Sequence, residues 1–420
     1  MPRLQSLRAA LLRVLPLHVF RQVATPLTAV DVPLRAELFS AEQMARHGKT
    51  LAQTHHLSAA PGHDALLLRL EDNEDKLRSA CAQLLDSVGL DRRITPASEW
   101  LLDNFYLIEE QIFTARAHLS KRYGRALPVL ANGPSRGLAR VYDIALEVIA
   151  HGDGRIDPEN LTRFVAAYQC VSELTLGELW AIPIMLRLAL IENLRRIGVH
   201  EAQSMVERNR ASVWAEQMLQ VAEHDPKSLI LVLSDMARDT PTLGHTFVAE
   251  LARRLQGHST ALALPLSWIA QRLSELDQTG EQMVHLETQG QAVNQVCISN
   301  SIASLRLLSA TDWREFVEAM SGVERHLRED PAGVYACMDF GTRDSYRHVV
   351  ERIARHSVLT ESEVARQAVQ LAQQSVRMHQ AQPTNPAAST PDAMGHVGYY
   401  LVGDGRALLE RAAQVQHGWQ

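Results

Sequence analysis

The sequence predicts an all-α protein, a multi-helix bundle or irregular helical array, and three observations carry that prediction. Apolar residues recur three and four positions apart along most of the chain. Period-two alternation rich in Val, Ile and Thr is almost absent. Helix-start chemistry is frequent: Ser40 with Gln43, Thr175 with Glu178 and Thr360 with Glu363 each fit a capping box, in which side chains satisfy free first-turn N–H groups. Proline at a first helical position follows Thr95, Asp157, Asp225 and Asp330.

These marks predict helices near 40–56, 71–88, 96–121, 136–150, 158–171, 176–197 and 201–222, then 226–237, 245–256, 264–276, 279–309, 312–328, 342–356 and 361–378. Residues 1–65, interrupted by Pro26, Pro33, Pro61 and Gly62, read as an N-terminal extension; within it Leu4, Leu7, Leu11 and Val14 mark one face of a short amphipathic helix. Residues 66–380 read as one helical domain without a fixed internal repeat. The stretch 381–395, poor in large apolar residues and rich in Pro, Ala and Thr, reads as a linker. Residues 396–420 regain apolar and aromatic content but are too few to bury a core alone, so they read as a tail leading towards further domains.

Charge and composition exclude several classes. With 42 Lys and Arg against 48 Asp and Glu, dispersed and giving a net charge of -6, nothing marks nucleic acid or an anionic membrane as partner. Cys81, Cys170, Cys297 and Cys337 show no C-x-x-C clip and no compact disulfide framework, which fits a reducing compartment. The most hydrophobic run, Leu179 to Ile191, is too short to span a bilayer and contains Pro183 and Arg187. Arg8 and Arg13 interrupt any signal-peptide core.

Several motifs fail on context. Gly133-Pro134-Ser135-Arg136-Gly137 matches G-x-S-x-G but lacks the preceding strand of a nucleophile elbow, so Ser135 reads as a turn or cap residue. Gly48-Lys49-Thr50 resembles the end of a phosphate loop, yet Gln43 stands where its first glycine belongs. His151 to Leu161 carries Asp153, Asp157 and Glu159 but not the calcium-loop order. None of the 18 histidines forms H-E-x-x-H or pairs with cysteine at ligand spacing, so no metal site and no cofactor is predicted.

Two dense polar blocks remain, Pro96 to Ile112 and Asp339 to Arg355. In the first, Trp100, Leu101, Phe105, Ile108 and Ile112 fill the apolar positions, while Asp103, Asn104, Glu109 and Glu110 occupy the rest. In the second, Tyr346, Val349, Val350 and Ile353 form the apolar stripe; Arg343, Arg347 and Glu351 make an i, i+4 ladder beside Asp344 and His348. One reading is ordinary amphipathic helices with solvated ion pairs. The other is a sugar- or phosphate-facing cluster with Arg343 and Arg347 as fork donors and Tyr346 as a stacking ring. The candidate sugar or interface contacts are Trp100, Asn104, Glu109, Asp339, Arg343, Asp344, Tyr346, Arg347 and His348.

EWLLDNFYLIEEQI, the loop Leu127 to Pro134, RVYDIALEVIAH, LTLGELWAIPIMLRLALIENLRR, DFGTRDSYRHVVERIA and HVGYYLVGDGR, taken in order, resemble the N-terminal region of bacterial cyclic β-1,2-glucan synthases from about Leu70 to Arg406. Proteins of that family are large inner-membrane enzymes that polymerise glucose from UDP-glucose, cyclise the product and carry a phosphorylase-like region. The chain lacks the glycosyltransferase aspartate motifs, the membrane spans and the phosphorylase-like part. The resemblance therefore implies a non-catalytic accessory domain at the cytoplasmic face of the inner membrane. Its partners would be the membrane-bound glucosyltransferase domain, of the same or a split polypeptide, and β-1,2-glucan; no catalytic residue is implied.

Two alternatives stand beside it. One is an independent sugar-active helical enzyme whose Glu109, Asp339 or Asp344 converge on a cleft, since glycoside chemistry needs two carboxyls about 5 to 10 Å apart. The other is a scaffold binding protein or glucan through a face bearing Trp100, Tyr106, Trp180 and Tyr346.

Overall fold

The computed structural model describes residues 32–58, 65–89, 92–119, 121–239, 243–257, 262–275, 277–381 and 391–415. Among them the chain is helical throughout, with two isolated β-bridges, Leu57 to Leu130 and Val129 to Ala139, and no sheet. No described helix is long and apolar enough to cross a membrane. The amphipathic helix expected at Leu4 to Val14 lies outside the described residues, as does most of the linker at 381–395.

The first half comprises α1 (Ala41–Thr54), α2 (Ala65–Gly89), α3 (Pro96–Asp103), α4 (Phe105–His118), α5 (Lys121–Ala126), α6 (Arg140–His151) and α7 (Pro158–Gln169). A long α8 (Leu176–His224) follows, then α9 (Leu229–Asp239), α10 (His245–Leu255), α11 (Ala263–Ser274) and α12 (Gly280–Ala310). The C-terminal third contains α13 (Trp313–Met320), α14 (Gly322–Leu327), α15 (Phe340–Ala354), α16 (Glu361–Ala381), α17 (Pro391–Met394), α18 (Val397–Leu401) and α19 (Arg406–Ala412).

The predicted caps at Ser40, Thr175 and Thr360 form as reciprocal side-chain bonds with Gln43, Glu178 and Glu363. Thr95 and Asp157 cap α3 and α7 ahead of their prolines. Asp330-Pro331 does not start a helix. The Asp330 carboxylate instead accepts from the backbone N–H groups of Val334, Tyr335 and Val397 at 3.0–3.1 Å, pinning a turn to the C-terminal segment.

Three predicted boundaries move for identifiable reasons. The helices expected at 176–197 and 201–222 are one, α8. Gly198, which marks the expected gap, lies where a Cβ would stand 3.0 Å from Leu77 Cδ1 and 3.1 Å from Leu101 Cδ2, so it serves close helix packing and not termination. The helix expected over 96–121 breaks at Asn104, whose amide donates to Trp100 O at 2.9 Å and so competes with the backbone ladder. The helix expected over 312–328 breaks at Ser321, which caps α14 by accepting from Glu324 N.

Buried apolar side chains gather in three clusters. The first joins α1–α4, α6, α7, the N-terminal half of α8, the C-terminal half of α12 and α13. The second joins α14, α15, α16, α18 and α19; the third joins the C-terminal half of α8 with α9, α10, α11 and the start of α12. Part of the expected extension belongs to the first cluster. Gly48 brings α1 so close to α7 that a Cβ would stand 2.8 Å from Phe164 O, and Met44 and Ala52 are buried there. Part of the expected tail belongs to the second, through Val397, Tyr400, Leu401, Leu409 and Ala413.

Candidate functional site

The second dense block is an internal ion network. Arg347 is fully buried, and its Nη1 donates to Glu318 Oε1 at 2.9 Å and Glu324 Oε2 at 2.5 Å while Nη2 donates to Asp344 Oδ1 at 3.0 Å. Arg343 forks onto Glu318 through Nε and Nη2 at 2.9–3.0 Å and donates from Nη1 to Met338 O. Arg328 Nε donates to Glu324 Oε1 at 2.8 Å, and Tyr335 Oη to Glu324 Oε2 at 2.7 Å. Three guanidinium groups thus meet three carboxylates, so the charge of the network is balanced from within. Burial works against the Glu318 carboxylate, yet hydrogen bonds from Arg347 and Arg343 hold its pKa below the ordinary value.

This corrects the expected solvated ladder. Arg347 turns inward, under the Phe340 ring at 5.1 Å, because two of its acceptors, Glu318 and Glu324, come from α13 and α14 and the third, Asp344, from the preceding turn of α15, not from Glu351 on the next. Glu351 pairs instead with His348 Nδ1 at 2.9 Å and with Arg355 at 2.5 Å. Asp339 is spent as the α15 cap, accepting from Thr342 N and Oγ1. Tyr346 is partly buried, its ring 6.0 Å from Tyr335 and 6.1 Å from His396. Neither Arg343 nor Arg347 is presented as a fork donor to an outside ligand.

The first block divides at Asn104. Asn104 is buried and accepts from Arg306 Nη2 at 2.9 Å, tying the α3–α4 break to α12. Glu109 accepts from Arg78 at 2.8 Å on α2. Trp100, expected on the apolar stripe, is 43% exposed, while the other members of that stripe, Leu101, Phe105, Ile108 and Ile112, are buried in phase through the break. Tyr106 and Phe113 are 61% and 72% exposed one turn-pair apart on α4, and Glu99, Asp103 and Glu110 are exposed beside them. An aromatic and acidic outer face is thus what this block offers. Of the four rings proposed for one binding face, Trp100 and Tyr106 are exposed. Trp180 packs on the first cluster and Tyr346 on the second, so the four do not form one groove.

Polar residues of α8 are likewise committed to the interior. Glu178 receives a two-pronged bond from Arg140, Glu192 receives Arg69 at 2.6 Å twice, and Asn193 accepts from Leu34 N at 3.1 Å. Burial opposes ionisation of Glu192, but Arg69 outweighs it and brings the carboxyl down to about 2. Ser135, the G-x-S-x-G serine, donates to Asp143, whose other oxygen meets His55 Nε2 at 3.0 Å. No histidine lies between serine and aspartate, the order that nucleophile activation needs.

One group escaped the sequence reading. His47, Glu147 and His151 bring three ligand atoms within 4.8 Å of one another. The signal present in the sequence was Glu147 and His151 at i, i+4 on α6; His47 arrives from α1, about a hundred residues away.

No protein-family model matches the chain. Compared with curated proteins, the chain is 32% identical over 381 residues, 90% of its length, to the cyclic beta-(1,2)-glucan synthase NdvB of Rhizobium meliloti strain 1021. The chain resembles part of a cyclic β-1,2-glucan synthase. The match spans 13% of NdvB, so most of NdvB has no counterpart here. It runs through both dense blocks and α8, since no alignment covering 90% of the chain can avoid them.

Proposed function

We propose that this chain is a non-catalytic helical accessory region of cyclic β-1,2-glucan synthesis, working with a membrane-bound glucosyltransferase domain of the same or a split polypeptide at the cytoplasmic face of the inner membrane. The observation that carries the reading is the match to NdvB over 90% of this chain and only 13% of NdvB. The side-chain chemistry supports it. The carboxylates that glycoside chemistry would require are engaged by the protein's own groups: Asp339 caps a helix, Asp344 holds Arg347 and Glu109 holds Arg78. Glu109 stands on α4, whereas Asp339 and Asp344 lie at the start of α15, and each of the three is held by its own partner.

The test is incubation of the purified chain with labelled UDP-glucose, with and without linear β-1,2-glucan as acceptor. The expected result is no glucose transfer and no release of sugar from glucan. Turnover above a heat-inactivated control would overturn the non-catalytic reading.

A second reading, glucan contact by the same region, is favoured by Trp100, Tyr106 and Phe113, which expose aromatic faces beside carboxylates suited to sugar hydroxyls. Calorimetric titration with linear β-1,2-glucan decides it. Saturable binding lost in a Trp100→Ala, Tyr106→Ala, Phe113→Ala variant supports contact, and no binding by the native chain rejects it.

A further inference from the structure

We propose that His47, Glu147 and His151 form a three-ligand zinc site that clips the N-terminal segment to α6. His47 Nε2 lies 2.7 Å and His151 Nε2 3.4 Å from Glu147 Oε2. Ligands about 2.0–2.2 Å from a tetrahedral zinc ion stand about 3.3 Å from one another, so the three atoms are already near the spacing of coordination. Two imidazoles and one carboxylate are the donors of an open zinc site and are poorly suited to magnesium or calcium, which prefer oxygen alone.

The surroundings fix the donor atoms. His151 Nδ1 donates to the Glu37 carbonyl at 2.6 Å, which leaves Nε2 with its lone pair directed at Glu147. The Phe39 ring stacks on His151 at 3.8 Å and 11°, holding the imidazole plane, and Ala36 N and Phe39 N donate to Ala150 O and His151 O. His47 is placed by the Ser40 cap, which sets where α1 begins. The side chains of His47 and Glu147 remain 24% and 31% exposed while His151 is 10% exposed, so an ion has an entry path and a solvent-facing fourth position. Without metal, His47 Nε2 shares a hydrogen bond with Glu147 Oε2; zinc would replace it with shared coordination and join residues 37–47 to α6.

The experiment uses the complete chain, stripped with a chelator and titrated with zinc by calorimetry, then with cobalt to record its visible spectrum. His47→Gln, Glu147→Gln and His151→Gln are compared with His285→Gln, an exposed histidine on α12, and far-UV circular dichroism checks that each variant is folded. One zinc ion per native chain is expected, with an intense four-coordinate cobalt spectrum and hydrogen exchange across residues 36–54 slowed by zinc. Each ligand variant should weaken zinc by more than about tenfold, the least that even outer-shell changes cost, and His285→Gln should not. The proposal is overturned if the native chain binds no zinc, if a folded ligand variant binds as tightly as the native chain, or if cobalt shows only its hydrated six-coordinate spectrum.

Discussion

Replacing Arg347 by alanine removes the centre of the second cluster's ion network without touching its apolar side chains. The Arg347 side chain is 0% exposed, and its partners Glu318, Glu324 and Asp344 are 15%, 2% and 21% exposed. Breaking a buried ion pair on one side costs about 3–5 kcal/mol, because the remaining charge stays desolvated without its counter-ion. Here the cost should fall near the lower bound, about 3 kcal/mol, since Arg343 and Arg328 still reach Glu318 and Glu324. That is roughly a hundredfold shift in the local folding equilibrium. Hydrogen exchange of the complete chain measures it directly: peptides from α13, α14 and α15 should exchange about a hundredfold faster, while α9, α10 and α11 in the third cluster stay near native rates. Arg347→Met combined with Glu324→Gln should restore much of the protection, because it removes the unpaired charge as well as the arginine. Acceleration below about fivefold in α13–α15 would refute the argument, as would equal acceleration in the third cluster.

Further outcomes follow from other contacts. Gly48→Ala places a methyl group 2.8 Å from Phe164 O, so α1 must move away from α7, at about 1–3 kcal/mol, read as a lower thermal midpoint with faster exchange in α1. Burial, with the nearby Glu351 and Glu178 carboxylates, raises Glu361 from 4.5 to about 7 although Leu176 N donates to it. Below the unfolded value both states hold the proton; between about 4.5 and 7 the unfolded chain ionises first, so this group's contribution to stability is lost as pH rises through that window. Glu361 is partly exposed, so the loss should be only about 1–3 kcal/mol, and Glu361→Gln should flatten that part of a stability–pH profile; an unchanged slope refutes it. A thiol reagent should label Cys170 and Cys337 in the native protein and reach Cys81 and Cys297 only on unfolding, as peptide mapping would show.

The all-helical fold and most helix starts were legible because caps and apolar spacing are local. The breaks at Asn104 and Ser321 were not, since each turns on a side-chain hydrogen bond inside an apparently continuous apolar pattern, Asn104 donating to Trp100 O with Arg306 holding its other end, and Ser321 accepting from Glu324 N. Gly198 misled in the opposite direction: a residue that often ends helices here makes room for Leu77 and Leu101. The dense blocks stand out in the sequence by their polar content, but spacing alone does not show that Arg347 faces inward, because Glu318 and Glu324 lie on other helices. His47, Glu147 and His151 illustrate the same limit. Two members share a helix, and the third arrives only with the tertiary fold.

Helix α8 runs through 49 residues, about 70 Å of continuous backbone, with its first half embedded in one hydrophobic cluster and its second half in another. Such a rod is a lever. A tilt of about 5° where α2, α6 and α7 grip it carries the far end, and α9 and α10 with it, through about 6 Å. A partner that pressed on the first cluster would be felt at the third as displacement, carried also by α12, whose two ends belong to the same two clusters.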